Sequence, residues 1–126
     1  LMSNTFILYH GSDPKNYPSI LKSGFDPERI GSGWGKTYGS GIYLTPNKEE
    51  AKFYSGGKDV LRCVVRIAKP YKLERDYSPT NKKHNRLMKE LGERARKEGY
   101  DVIITIREDE YIVFSPVSII SIERVN

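Results

Sequence analysis

The sequence predicts a mixed α+β domain, and three observations carry that prediction. Short helical stretches at 14–23, 47–55 and 81–98 each stop at a glycine. Runs rich in Val, Ile, Tyr and Phe fill the second half between polar turns, as strands do. The chain has 126 residues, 37% of them apolar and 29% charged, which suits one globular domain around one core. No repeat, low-complexity tract or linker interrupts it, so a single domain is expected over 2–126, with Leu1 ahead of Met2 set aside.

The elements follow in order. TFILY (5–9) is apolar, is made largely of strand formers, and ends at His10-Gly11-Ser12. PKNYPSILKS (14–23) carries Ile20 and Leu21 and meets Gly24, which predicts a short helix. FDPERIGSGWGKTYGSG (25–41) has no apolar period and places glycines at 31, 33, 35, 39 and 41. It reads as a long loop, of a length that in a compact domain is functional or disordered. IYLT (42–45) reads as a short buried strand. NKEEAKFYS (47–55) reads as a helix with acids in its first turn, where they suit the helix dipole, and it ends at Gly56-Gly57. KDVLRCVVRIAK (58–69) is a long β-branched strand halted by Pro70. Leu87, Leu91 and Ala95, with Met88 alongside, mark the apolar face of a helix over 81–98. YDVIIT, EYIVFS and VSIISIERV are three further strands, separated by polar turns and Pro116.

Composition narrows the function classes. No run is long enough for a membrane span, and LMSNTFILYH lacks the long apolar run and basic flank of a secretion signal. A cytoplasmic protein is therefore expected, a reading compatible with delivery into another cell. Cys63 is the only cysteine, which excludes an internal disulfide or a thiolate metal cluster, and within VLRCVVRI it reads as a buried inert thiol. The two histidines are far apart and lack carboxylates at ligand spacing, so no metal is expected. The net charge of +5 and pI near 9.3 permit an anionic partner such as nucleic acid. Much of that charge alternates with acids along 81–99, where a solvated helix face explains it equally well.

Three stretches place a polar or aromatic group at the edge of an apolar strand. In LYHGS (8–12), His10 ends a strand and Gly11 lets backbone approach a ligand; taken alone, this is a surface histidine at a turn. In GSGIYLTPNKEEAKFY (39–54), Tyr43 lies on a strand and Tyr54 on the following helix, so their rings could flank a flat heteroaromatic ring. Taken alone, they are a pair of half-buried core tyrosines. In EDEYIVFSP (108–116), Glu110 opens an apolar strand, with Glu108 and Asp109 raising its proton affinity by like charge. Taken alone, successive acids are a solvated hairpin turn, and Glu108 and Asp109 are read that way.

In this order and spacing the three stretches resemble the ADP-ribosyltransferase superfamily, in the branch summarised as His–Tyr–Glu. That branch holds the poly(ADP-ribose) polymerases and the diphtheria-toxin-like enzymes. The likeness spans residues 6 to 116, and its second motif is the most specific. It implies a split β-sandwich of two antiparallel sheets with short flanking helices. It also implies NAD+ as co-substrate, with the glycine-rich loop lying over the dinucleotide. No GxGxxG follows a first strand, so nothing supports a Rossmann site.

Carried over by position, the resemblance makes His10, Tyr43 and Glu110 catalytic and places His10, Gly11, Ser12, Tyr43, Ala51 and Tyr54 at NAD+. His10 would bond the adenosine ribose, and the Gly11 backbone would clamp the nicotinamide carboxamide. Tyr43 and Tyr54 would sandwich the nicotinamide ring, and Glu110 would bind the 2′-hydroxyl of its ribose. Many polymerase-type relatives carry serine where this chain has Ala51, which makes the binding mode look more like the toxin branch. The expectation is transfer of one ADP-ribose by a monomer, with no metal or membrane and with the acceptor, protein or nucleic acid, left open. The alternatives are NAD+ hydrolysis or RNA 2′-phosphotransfer on the same fold, or a non-catalytic module reading NAD+, ADP-ribose or nucleic acid.

Overall fold

Two β-sheets facing each other, with a long helix on the outer side of the second, position everything that follows. The structure is a computed structural model and describes residues 4–28 and 37–126. Gly31, Gly33, Trp34 and Gly35 of the predicted glycine-rich loop, and Met2, lie outside the described residues. In chain order the elements are β1 (Thr5–His10), α1 (Tyr17–Ser23), β2 (Ile42–Leu44), α2 (Lys48–Tyr54) and β3 (Val60–Arg66). They continue with β4 (Pro70–Lys72), α3 (Lys82–Lys97), β5 (Val102–Ile104), β6 (Tyr111–Val113) and β7 (Ile119–Val125). Among the described residues no helix is long and apolar enough to cross a membrane.

The first sheet runs β1-β3-β7 and is antiparallel throughout. The second runs β2-β6-β5-β4 and is antiparallel except for its last pair, in which β4 lies parallel to β5. This is the split sandwich that the resemblance implied, with one parallel edge added. Strand alternation builds two cores from it. Leu8, Cys63 and Val65 of the first sheet pack with Ile42, Leu44, Val102 and Val113 of the second. The opposite parity of the second sheet, Ile103 and Ile112, packs under Met88, Leu91 and Ala95 of α3. Cys63 is buried, and that burial pushes its thiol up to about 12, as an inert core thiol requires.

Asparagine caps set the starts of α2 and α3. The Asn47 side chain accepts the backbone N–H of Glu49 at 2.9 Å and of Glu50 at 3.2 Å. Asn81 does the same for α3, accepting from Lys83 at 2.9 Å and His84 at 3.2 Å. Two sequence expectations need correction. Pro70 does not halt the long strand, which ends at Arg66; it opens β4, an edge strand whose first residue needs no ladder N–H. On α3 the buried stripe is Met88, Leu91, Gly92 and Ala95, whereas Leu87 is exposed. Positions 88, 91, 92 and 95 keep the helical period, and residue 87 is rotated off it.

Gly92 brings the backbone of α3 directly against that of Tyr38. A Cβ there would collide with the Tyr38 carbonyl oxygen, so only glycine seats the helix. Alanine is otherwise favoured in a helix interior over glycine by about 1 kcal/mol. Gly92→Ala is therefore expected to destabilise the protein by about 1–3 kcal/mol, as overpacking does, despite the better propensity. Urea unfolding measures this, and a variant more stable than wild type would contradict the packing described.

Candidate functional site

An isolated antiparallel bridge ties the two sheets together at one end. Tyr9 N–H donates to the Thr45 carbonyl at 2.7 Å, and Thr45 N–H donates to the Tyr9 carbonyl at 3.0 Å. On the other side of β2, Leu44 pairs with Tyr111, so Thr45 falls opposite Glu110 in the same register. The ends of β1, β2 and β6 thus lie in one row, Tyr9–Thr45–Glu110. Beside that row opens a cleft of about 1180 Å³.

Every site residue expected from sequence reaches this cleft. It takes in His10, Gly11 and Ser12 from the end of β1, Tyr43 from β2, Ala51 and Tyr54 from α2, and Glu110. His10 is buried; its Nε2 lies 2.9 Å from Ser12 Oγ, and its ring meets Phe25 edge-on at 5.1 Å. Burial pulls His10 down to about 4, so at neutral pH the imidazole is uncharged and serves as a hydrogen-bonding group rather than a cation. Gly11 is packed against α2, where a Cβ would run into the Ala51 carbonyl oxygen. The close approach that Gly11 permits is therefore first to the helix backbone, and it draws α2 onto the end of β1.

Tyr43 is half-buried under α3, with its hydroxyl fully used: it accepts the Tyr38 N–H at 2.9 Å and donates to the Gly39 carbonyl at 2.8 Å. Burial first, then the nearby Glu110 charge, holds its phenol up at about 12 against the lowering effect of the Tyr38 N–H. Tyr54 is 62% exposed on the rim, edge-on to Phe53 at 5.6 Å. It is not core, and it lies exposed on the cleft wall.

Glu110 is partly buried, its backbone N–H donating to Thr105 Oγ1 at 3.1 Å. Burial, reinforced by the Asp109 and Glu50 carboxylates, pushes it up to about 7. From sequence, like charge from Glu108 and Asp109 is the expected cause. Instead desolvation leads, and Glu108 reaches across to Lys72 at 3.4 Å. Asp109 is exposed and accepts the Thr105 hydroxyl at 2.6 Å.

Sequence reasoning missed several residues here. Thr45 carries the bridge, and its hydroxyl lies 3.4 Å from Glu50 Oε2. Glu50 is a further carboxylate on the pocket wall, with Asp26, Asp76, Asp109 and Glu110, and its place in the sequence marks it only as a first-turn helix acid. Tyr38, buried beneath α3, was read as loop. The one available signal was that Thr45 directly follows the IYL strand; nothing local marks Glu50 or Tyr38.

The arrangement sets a weakly acidic carboxylate and two phenol rings around a partly apolar cleft, with backbone from the end of β1 at the cleft wall. It suits a flat ring attached to a sugar that develops positive charge. Among the described residues no group of three or more His, Cys, Asp or Glu side chains is placed to hold a metal ion.

No curated protein matches the sequence at a significant level. Residues 2–112 match the family model of the poly(ADP-ribose) polymerase catalytic domain, which uses NAD+ as its substrate. The match covers most of the chain and includes β1, β2, α2 and Glu110. The chain belongs to the poly(ADP-ribose) polymerase catalytic-domain family of the ADP-ribosyltransferase superfamily, and its chemistry is NAD+-dependent transfer of ADP-ribose.

Proposed function

We propose that this protein transfers a single ADP-ribose unit from NAD+ to an acceptor nucleophile, with nicotinamide held between Tyr43 and Tyr54. The observation that carries the reading is the row Tyr9–Thr45–Glu110, which brings His10, Tyr43 and Glu110 to one cleft from three separated strand ends. The Gly11 backbone clamps the carboxamide, and neutral His10, steadied by Ser12, bonds the adenosine ribose. Glu110 accepts the 2′-hydroxyl of the nicotinamide ribose.

The bond from C1′ to the pyridinium nitrogen breaks and its electron pair leaves with nicotinamide, which departs neutral and needs no general acid. The sugar passes through an oxocarbenium-like state whose positive charge the fixed Glu110 carboxylate stabilises. Tyr43, anchored by two hydrogen bonds, and Tyr54 hold the leaving ring while the sugar turns from it, so remote binding energy strains the reacting bond. The acceptor oxygen or nitrogen then bonds C1′ and gives up its proton, with Glu110 as the nearest base. Ala51, set with its carbonyl against Gly11, offers no hydroxyl to the carboxamide, a feature that favours single transfer over the polymerase mode.

Release of nicotinamide from NAD+ tests the reading. Glu110→Gln is expected to lower it by at least about 10²-fold, the usual cost of a group that stabilises developing charge. A Glu110→Gln variant as active as wild type would overturn the assignment, and product ladders heavier than one unit would overturn single transfer.

Protonation gives two further outcomes. The ionised carboxylate is the active form, so kcat/KM should rise with pH and level off above about 7. Stability runs the other way. The folded state holds the Glu110 proton more tightly than the unfolded one, so its contribution is intact below about 4.5 and is lost as pH rises through about 7. Glu110→Gln, which has no such proton to lose, should therefore be more stable than wild type at about pH 8 by about 3 kcal/mol. The difference should shrink towards acid pH. Thermal melts of both proteins across pH check this, and a difference independent of pH would contradict it.

A further inference from the structure

A side chain outside the cleft controls one of its walls. Arg96 sits near the end of α3, half-buried, with its Cζ 5.1 Å from the centroid of the Phe114 ring. Its Nη1 donates to the Ser40 carbonyl at 2.7 Å and to the Tyr38 carbonyl at 3.3 Å. Those two carbonyls flank Gly39, which has φ 83°, and a Cβ there would lie 2.7 Å from Arg96 Nη2. One turn earlier on the same helix, Gly92 takes the Tyr38 carbonyl against its bare Cα. The segment Tyr38–Ser40 is thus gripped from one side by α3.

That same segment supplies two hydrogen-bond partners of the Tyr43 hydroxyl, the Tyr38 N–H and the Gly39 carbonyl, and the Thr37 side chain just before it supplies a third. We infer that Arg96 is a positioning residue for NAD+: by fixing the Tyr38–Ser40 backbone it fixes the tilt of the Tyr43 ring against nicotinamide. This inference rests on the reading of Tyr43 as a wall of the nicotinamide slot. An apolar side chain could pack on Phe114 as well as Arg96 does, but it has no donor to hold the two carbonyls, both of which are taken by Arg96 Nη1. A stacked ring pair depends on the tilt and offset of its faces, so a loosened phenol weakens ligand binding without removing any group that touches the ligand.

The test is a double-mutant cycle read by calorimetric binding of nicotinamide. Arg96→Met keeps the stem on Phe114 and removes the donors, and Tyr43→Phe removes the hydroxyl through which Arg96 acts. Each alone should weaken binding about tenfold, and together little more than either, because both break one linkage. Arg94→Met, on the same helix with the same charge change and exposed to solvent, should stay within about twofold. Equal and additive losses, or no loss in Arg96→Met, would overturn the inference, since a merely structural effect does not pass through the Tyr43 hydroxyl. A ligand-free readout separates the two readings. The 13Cζ resonance of Tyr43 should move in Arg96→Met and not in Arg94→Met. If wild type binds no nicotinamide, the nicotinamide slot fails and the resonance alone decides whether Arg96 sets Tyr43; an unmoved resonance refutes it.

Discussion

The whole site depends on two hydrogen bonds between Tyr9 and Thr45. They are the place where β2 of the second sheet touches β1 of the first, and they turn two separate sheets into one cleft. Without the bridge, His10 would end one sheet and Glu110 would begin a strand in another. With it, β2 becomes a common neighbour. It gives Tyr9 its partner at Thr45 and, one residue earlier, pairs Leu44 with Tyr111. The parity of β2 then decides what faces where: Ile42 and Leu44 go to the core between the sheets, and Tyr43 goes to the α3 side. A one-residue slip would bury the phenol between the sheets and present a leucine to the ligand.

The cleft is assembled against the grain of stability. Glu110 is a carboxylate in a partly apolar wall with two other acids close by, and each of these favours its neutral form. His10 is held uncharged by the same burial. Such an environment makes charge stabilisation strong when a cation develops on a bound sugar, because little water screens it. The surrounding packing offsets this cost through contacts that tolerate no side chain, Gly11 against α2 and Gly92 of α3 against Tyr38. Helices α2 and α3 thus serve as jaws, one behind the end of β1 and the other behind the Tyr38–Ser40 segment.

Much of this was legible in the residues. The strands TFILY, IYLT and EYIVFS, the helix capped by Asn47 and the stop of α3 before Gly99 all come from local chemistry, and the structure has them. What local chemistry does not carry is pairing between distant segments. PYK forms β4 because β5 offers it a parallel partner, and three residues starting with proline carry no such signal. Leu87 looked like a core position, yet the turn of α3 is set by Gly92 meeting Tyr38, a contact 54 residues apart in sequence and visible only after folding. Glu110 could be picked out from sequence because it heads an apolar strand. The main cause of its raised proton affinity, burial, belongs to the tertiary structure and outranks the neighbouring acids that the sequence displays. Thr45 enters the site through the bridge, with only its place directly after IYL to hint at it, and Glu50 enters on α2 through the packing of that helix against Gly11, which nothing in its own surroundings shows.

The central claim is that the joined strand ends form the slot for nicotinamide and its ribose. A crystal structure of the protein soaked with NAD+ tests it most directly. The account predicts the pyridine ring between Tyr43 and Tyr54, its carboxamide on the Gly11 backbone, and a Glu110 oxygen in hydrogen-bond reach of the adjoining 2′-hydroxyl. A dinucleotide seated elsewhere, or one whose nicotinamide ribose lies out of reach of Glu110, would contradict it.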